Sequence, residues 1–121
     1  MLGKKEVEGV LAEVMDTIPE LEGIIAASNT GKVVAGQTLR EMNHDAIVSS
    51  VVTLLKESKA VSQSVDQGTA QVIYLETNKG YTVAVNTAKA IIVAIAGKDA
   101  AASLGLIIRS LRASVEKITT S

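Results

Sequence analysis

The sequence predicts an α/β fold in which helices lie on both faces of a five-stranded, mainly antiparallel sheet. Hydrophobic periodicity along the 121 residues gives the order helix, two strands, helix, three strands, helix. Two Asn-x-Gly turns join neighbouring apolar runs, and turns of this kind connect antiparallel strands. Three helices are enough to cover both faces of five strands. The sequence therefore predicts a three-layer α-β-α domain spanning residues 1–121.

The first helix is predicted over residues 4–18. Apolar residues recur at helical spacing from Val7 to Ile18 and form one stripe. Pro19 ends the helix, because proline disfavours the α conformation in the residue before it.

A β-hairpin is predicted to follow, with strands at residues 22–28 and 32–35. Gly31 closes the turn between them, since glycine adopts a positive φ without steric cost. We expect Gly36 to weaken the end of the second strand.

The second helix is predicted over residues 43–62, with Asn43 as its N-cap. Its apolar residues spread over about half of the helical wheel, which is wider than the ~100° stripe that one contact face needs. We therefore expect this helix to contact its own sheet and a second partner. The residues of the arc are Ile47, Val48, Val51, Val52, Leu54, Leu55 and Val61.

The remaining elements are three strands and a closing helix, predicted over residues 69–77, 81–86, 90–96 and 99–119. The run at 90–96 is uninterruptedly apolar, which is typical of a central strand covered on both faces. Asp99 is a candidate N-cap of the closing helix.

This order and these turns resemble the Roadblock family, which includes dynein light chains and bacterial and archaeal regulators of GTPases. The resemblance rests on the helix exit at 18–24, the hairpin at 28–35, the strands at 72–85 and 90–95, and the closing helix from 104 to 111. A longin domain has a similar sheet but opens with a strand, so the initial helix favours Roadblock.

The resemblance implies the strand order 2-1-5-4-3, with the third strand at an edge and paired with its copy in a second chain. The second helices of the two copies would then pack across the same axis. Residues 69–77 contain neither proline nor lysine, which natural proteins place on edge strands to prevent pairing. The expected dimer interface consists of Val48, Val51, Val52, Leu55, Ala70, Val72 and Tyr74.

The resemblance further implies a homodimeric scaffold that binds a small Ras-like GTPase and alters its nucleotide cycle. The alternative is a structural adaptor subunit of a larger complex, with no effect on nucleotide hydrolysis. The surface expected to bind the partner consists of Arg40, Asn43, His44 and Ile47.

The residues predict no enzyme, and no catalytic, cofactor or metal site. The Walker A pattern is absent. That motif needs a glycine five residues before its Gly-Lys pair, but Ala26 stands there for Gly31-Lys32 and Ile92 for Gly97-Lys98. His44 is the only histidine, and we favour a solvated or capping role for it over a catalytic one. Arg40 could be an arginine finger, but a solvated loop charge is the favoured interpretation.

Composition narrows the setting of the protein. The net charge is -1, so no basic excess marks nucleic acid or an anionic membrane as partner. The apolar run at 90–96 is much shorter than the ~20 residues that span a bilayer. The chain has no cysteine and no apolar signal segment at its start, so we expect a cytoplasmic location.

Overall fold

A computed structural model of the protein describes residues 1–120. This part of the chain forms three α-helices, one 3-10 helix and five strands. The helices are α1 (Lys4–Thr17), α2 (His44–Ser64) and α3 (Leu104–Thr119), and the 3-10 helix is Lys98–Ser103. The strands are β1 (Leu21–Ser28), β2 (Val33–Thr38), β3 (Val72–Thr77), β4 (Gly80–Asn86) and β5 (Ala90–Gly97).

The strands form a single sheet in the order β2-β1-β5-β4-β3, and all four pairings are antiparallel. This topology confirms the predicted fold class and strand order. β2 and β3 are the two edges, while β5 lies in the centre between β1 and β4.

The helices form one layer on each face of the sheet. On the first face, α1 and α3 pack against alternate strand residues such as Ile24 and Ile92. On the second face, α2 packs through Val48 and Val51 against the intervening residues, among them Val93. The central strand β5 is buried on both sides, as its uninterrupted apolar sequence predicts.

Local signals fix the ends of several elements. The backbone N–H of Ile18 still donates to Val14 O, and the chain leaves α1 at that residue, before Pro19. Gly31 has a φ of 94°, as the turn requires. Asn43 is the N-cap of α2, and its Oδ1 accepts a hydrogen bond of 3.0 Å from Ala46 N.

The second strand is longer than predicted. It runs from Val33 to Thr38 instead of ending at residue 35, and Gly36 lies within it. Gly36 is needed there for space, because a Cβ at this position would come within 2.6 Å of Nδ1 of His44. The expectation that Gly36 weakens the strand is wrong, since this glycine accommodates the imidazole ring.

Two other boundaries differ from the prediction. β3 begins at Val72, not at residue 69, and the preceding residues form a loop in which Ala70 O accepts a hydrogen bond from Asn86 Nδ2. The closing helix is 3-10 over residues 98–103 and becomes α-helical only from Leu104. Asp99 does not cap it, because it lies within the 3-10 helix, whose N-cap is Gly97.

Candidate dimer and partner-binding surface

The edge strand β3 presents large apolar side chains to solvent. Tyr74 is 53% exposed and Leu75 43% exposed, although both lie in a regular strand. Tyr74 lies on the face of the sheet that carries α1 and α3, as does its pair Val83. Ile73 and Leu75 lie on the α2 face, because Ile73 pairs with Ala84, which packs under α2. Both faces of this edge are therefore apolar.

The outer side of β3 also has unpaired backbone groups. Asn86 N donates to Gln71 O, which identifies this pair as a hydrogen-bonded one. Such pairs alternate along an antiparallel ladder, so the residues at 73, 75 and 77 also bond inward to β4. Val72, Tyr74 and Glu76 then direct their N–H and C=O groups away from the sheet. Within residues 1–120, no strand pairs with this side.

The opposite edge, β2, carries features that hinder pairing. Ala26 pairs with Ala35 and Ala27 with Val33, so Val34 is an extra residue that forms a β-bulge. Lys32 immediately precedes the strand. Natural edge strands use bulges and lysines to prevent association, and β3 has neither. Of the two edges, β3 is the one suited to pairing.

The helix α2 has an apolar stripe beside the one that contacts its own sheet. The outer stripe of α2 consists of Ile47, Leu54 and Val61, which are seven residues, or about two helical turns, apart, and it begins at Ile47, which also packs against the clusters under α2. Ile47 is half-buried, while Leu54 is exposed and Val61 is 70% exposed. The wide arc on the helical wheel thus divides into a buried stripe and an outer one.

The residues predicted for the dimer interface occupy three different environments. Val48 and Val51 are buried against the sheet of their own chain, and Val52 and Leu55 are half-buried beside them. Val72 is half-buried and packs against the core on the α1–α3 face. Tyr74 is exposed at the edge, whereas Ala70 lies in the loop before β3 and not in the strand.

The residues predicted to bind a partner lie around the start of α2. Arg40 is exposed in the loop after β2. The side chain of Asn43 is used in capping, and that of Ile47 packs against the core clusters under α2. His44 is half-buried, with its ring over Gly36 and its Nε2 3.5 Å from Thr38 Oγ1.

Several exposed apolar residues were not among those predicted for the dimer interface or the partner-binding surface, although Leu54 and Val61 belong to the arc expected to contact a second partner. Leu39, beside Arg40, is 74% exposed, and Leu54, Val61 and Leu75 are exposed as well. The signal for Leu75 was the alternation of side chains along a strand. Ala70, Val72 and Tyr74 share one face, so Leu75 had to lie on the other. The width of the apolar arc was the signal for Leu54 and Val61.

Tyr81 in β4 faces Glu76 in the edge strand. Partial loss of solvation raises the pKa of Tyr81 above the usual 10.0, and the neighbouring Glu76 and Tyr74 raise it further. The phenol therefore remains a hydrogen-bond donor to a higher pH than an ordinary tyrosine.

A family model of the Roadblock/LC7 domain matches residues 7–96, from α1 to the end of the central strand. The chain belongs to the Roadblock/LC7 family. The predicted resemblance is thereby confirmed. No curated protein matches the sequence.

Solved structures share the Roadblock fold over nearly the whole chain. Myxococcus xanthus MglB has a TM-score of 0.80 at 9% identity and covers 96% of this chain and 86% of its own. The gliding protein MglB from Thermus thermophilus has a TM-score of 0.83 at 13% identity, with coverages of 98% and 91%. An MglB with tetrameric arrangement has a TM-score of 0.85 at 13% identity, with coverages of 98% and 90%. At these identities the likeness shows the Roadblock fold alone.

The helices of this Roadblock domain are too short or too polar to cross a bilayer, as far as residues 1–120 are concerned.

Proposed function

We propose that this Roadblock domain is a homodimeric regulator that binds a small Ras-like GTPase and pairs with a second copy through β3. The observation that carries the proposal is the unpaired, apolar and unprotected edge of β3. An edge of this kind is a template for another strand, and a second copy supplies an identical one. The tetrameric arrangement described for one MglB structure is consistent with self-association in this family.

The backbone geometry of β3 favours one register of pairing. A two-fold axis perpendicular to the sheet requires one residue to face its own copy. With Tyr74 at the axis, Val72 of each chain faces Glu76 of the other, so all three residues with outward backbone groups form hydrogen-bonded pairs. With the axis at Leu75 instead, Tyr74 of each chain faces Glu76 of the other, and only these two hydrogen-bonded pairs form. The register centred on Tyr74 therefore satisfies the most backbone groups.

The same register matches side chains across the axis. On the α2 face, Ile73 lies opposite Leu75 of the second copy, which removes two aliphatic side chains from water. On the other face, the two Tyr74 rings become neighbours. A two-fold axis perpendicular to the sheet also keeps both α2 helices on one face, where their outer stripes can pack together.

The surface proposed for the GTPase begins at the loop between β2 and α2. Leu39 and Arg40 are both exposed there and lie next to the start of α2. Arginine is enriched at the centres of protein–protein interfaces, and the exposed Leu39 adds apolar area beside Arg40. The dimer presents this surface twice. Regulation would follow if it bound one arrangement of the GTPase switch regions more tightly than the other.

The test is a pull-down of purified Ras-like GTPases, loaded with GDP or with a GTP analogue, by the immobilised protein. We expect retention that depends on the nucleotide and that the double change Leu39→Ser, Arg40→Ala abolishes. Arg109→Ala is the matched control, because Arg109 is an exposed arginine of α3. Equal retention of both nucleotide states would refute regulation. Loss of binding with Arg109→Ala as well would refute this placement of the surface.

Measuring GTP hydrolysis by the GTPase with and without this protein distinguishes a regulator from a structural adaptor. We propose that the chain has no catalytic activity of its own and acts only through its partner. Binding without any change in the hydrolysis rate would support the adaptor over the regulator.

A further inference from the structure

A groove of about 720 Å³ opens beside the start of β3. Its walls are the loop at residues 67–71, the end of β4 with the following turn at residues 86–88, and Arg112 of α3. It is distinct from the edge that pairs, because it lies before the first residue of the strand.

The charge of the groove is positive. Arg112 is the one charged side chain among its described lining residues, and it is exposed. The other side chains that line the groove are amides, hydroxyls and methyl groups. No carboxylate of residues 1–120 is among the groups that form its walls, so the guanidinium has no opposing charge there.

The backbone of the loop adds hydrogen-bond donors. Three of its carbonyl groups are engaged: Gly68 O accepts from Ser62 Oγ, Ala70 O from Asn86 Nδ2, and Gln71 O from Asn86 N. By contrast, the N–H groups of residues 68–70 donate to no other group in the described part of the chain, whereas Gln71 faces Asn86 of β4. Three of the loop's acceptors are therefore occupied, while three successive donors remain available.

We propose that this groove binds an anionic oxygen group, a phosphate or a carboxylate, through the Arg112 guanidinium and the N–H groups of residues 68–70. Free N–H donors beside an unpaired guanidinium are the complement of such a group, because hydrogen bonds in which either partner is charged are about twice as strong as neutral ones.

The proposed dimer supplies a second cation, and this part of the inference rests on the proposed function. Continuing the register centred on Tyr74 past the end of β3 places Ala70 opposite Asn78 of the second copy. The next residue of that turn is Lys79, which is exposed. Lys79 of the second copy therefore borders the open side of the groove, and binding of an anion there stabilises the dimer.

The test is an NMR titration of the ¹⁵N-labelled protein with inorganic phosphate and, separately, with acetate at constant ionic strength. We expect saturable shifts of the amide signals of residues 68–70. Arg112→Gln should weaken the affinity about tenfold, as loss of one charged hydrogen-bonding partner implies. Arg109→Gln, on the same helix but outside the groove, should leave the affinity unchanged. A response to phosphate alone assigns the ligand to phosphorylated compounds, and equal responses assign it to carboxylates as well.

Absence of saturable shifts at these amides, or equal affinity in the Arg112→Gln protein, would overturn the proposal. The substitution Lys79→Gln distinguishes anion binding by the groove itself from the contribution of the second copy. In a dimeric protein it should weaken phosphate binding, whereas in a monomeric protein it should have no effect while the effect of Arg112→Gln persists. The groove and the dimer can thus fail independently.

Discussion

Gly80 lies where the main chain of β4 passes closest to β5. A Cβ at this position would overlap the carbonyl oxygen of Ala96, a backbone atom that cannot move without disrupting the sheet. We expect Gly80→Ala to lower the free energy of unfolding by about 1–3 kcal/mol, the usual cost of overpacking. Urea denaturation followed by circular dichroism measures this change.

Gly9→Ala is the control for that measurement. Gly9 lies in α1 with nothing within 4 Å of a Cβ, so alanine should raise the free energy of unfolding by about 0.5–1 kcal/mol. Equal effects of the two substitutions would contradict the close approach of β4 and β5.

Asn43 connects the loop after β2 with the first turn of α2. Its Oδ1 satisfies the N–H of Ala46, which has no intrahelical partner. We expect Asn43→Ala to lower the free energy of unfolding by about 1 kcal/mol and Asn43→Asp to leave it nearly unchanged. Thermal denaturation of both variants checks this, and an unaffected Asn43→Ala protein would show that the cap contributes nothing.

Among the secondary-structure elements, the pairing of β3 with a second copy can be tested by a single substitution. Leu75→Lys places a charge in the proposed strand pair but leaves the single chain able to fold, since Leu75 is 43% exposed. We expect this variant to be monomeric in light scattering with an unchanged circular dichroism spectrum.

Leu106→Lys is its matched control, because Leu106 is 42% exposed but lies on α3. It should remain dimeric. Dissociation of both variants alike would indicate that added charge, and not the position in β3, breaks the assembly. Val72→Lys is a less specific test, because Val72 packs against the core of its own chain.

The register of pairing can be tested with cysteines, because the chain has none of its own. Tyr74→Cys should form a disulfide-linked dimer on mild oxidation, since residue 74 faces its own copy at the axis. Glu76→Cys should not, because two copies of residue 76 would stand about four strand residues, or roughly 13 Å, apart. Efficient cross-linking of the Glu76→Cys protein would show that the two-fold axis does not pass through residue 74. Non-reducing electrophoresis distinguishes the two.

The sequence predicted element types and order well because periodicity and turn residues are local signals. The buried run of β5, the Asn43 cap and the exit of α1 before Pro19 all depend on neighbours in the chain. The element boundaries that differ from the prediction depend on contacts with residues farther along the chain. β2 continues through Gly36 because His44 packs there, and β3 starts late because Asn86 holds the preceding loop.

The same limit applies to the candidate interface at the scale of the whole molecule. A helical wheel gives the width of the apolar arc of α2 but not the line between the stripe on its own sheet and the outer stripe. That line depends on where the sheet lies, so Val48 and Val51 are buried while Leu54 and Val61 are exposed. Similarly, the alternation in β3 became interpretable only when Val83 and Ala84 identified its two faces.

Two chains paired through β3 would form one continuous ten-stranded sheet from two sheets of five strands. This arrangement would present the proposed GTPase surface twice. Light scattering of the unmodified protein over a range of concentrations tests that arrangement most directly. We expect a particle of twice the 12.6 kDa chain mass. A mass of one chain at all concentrations would contradict the proposed dimer.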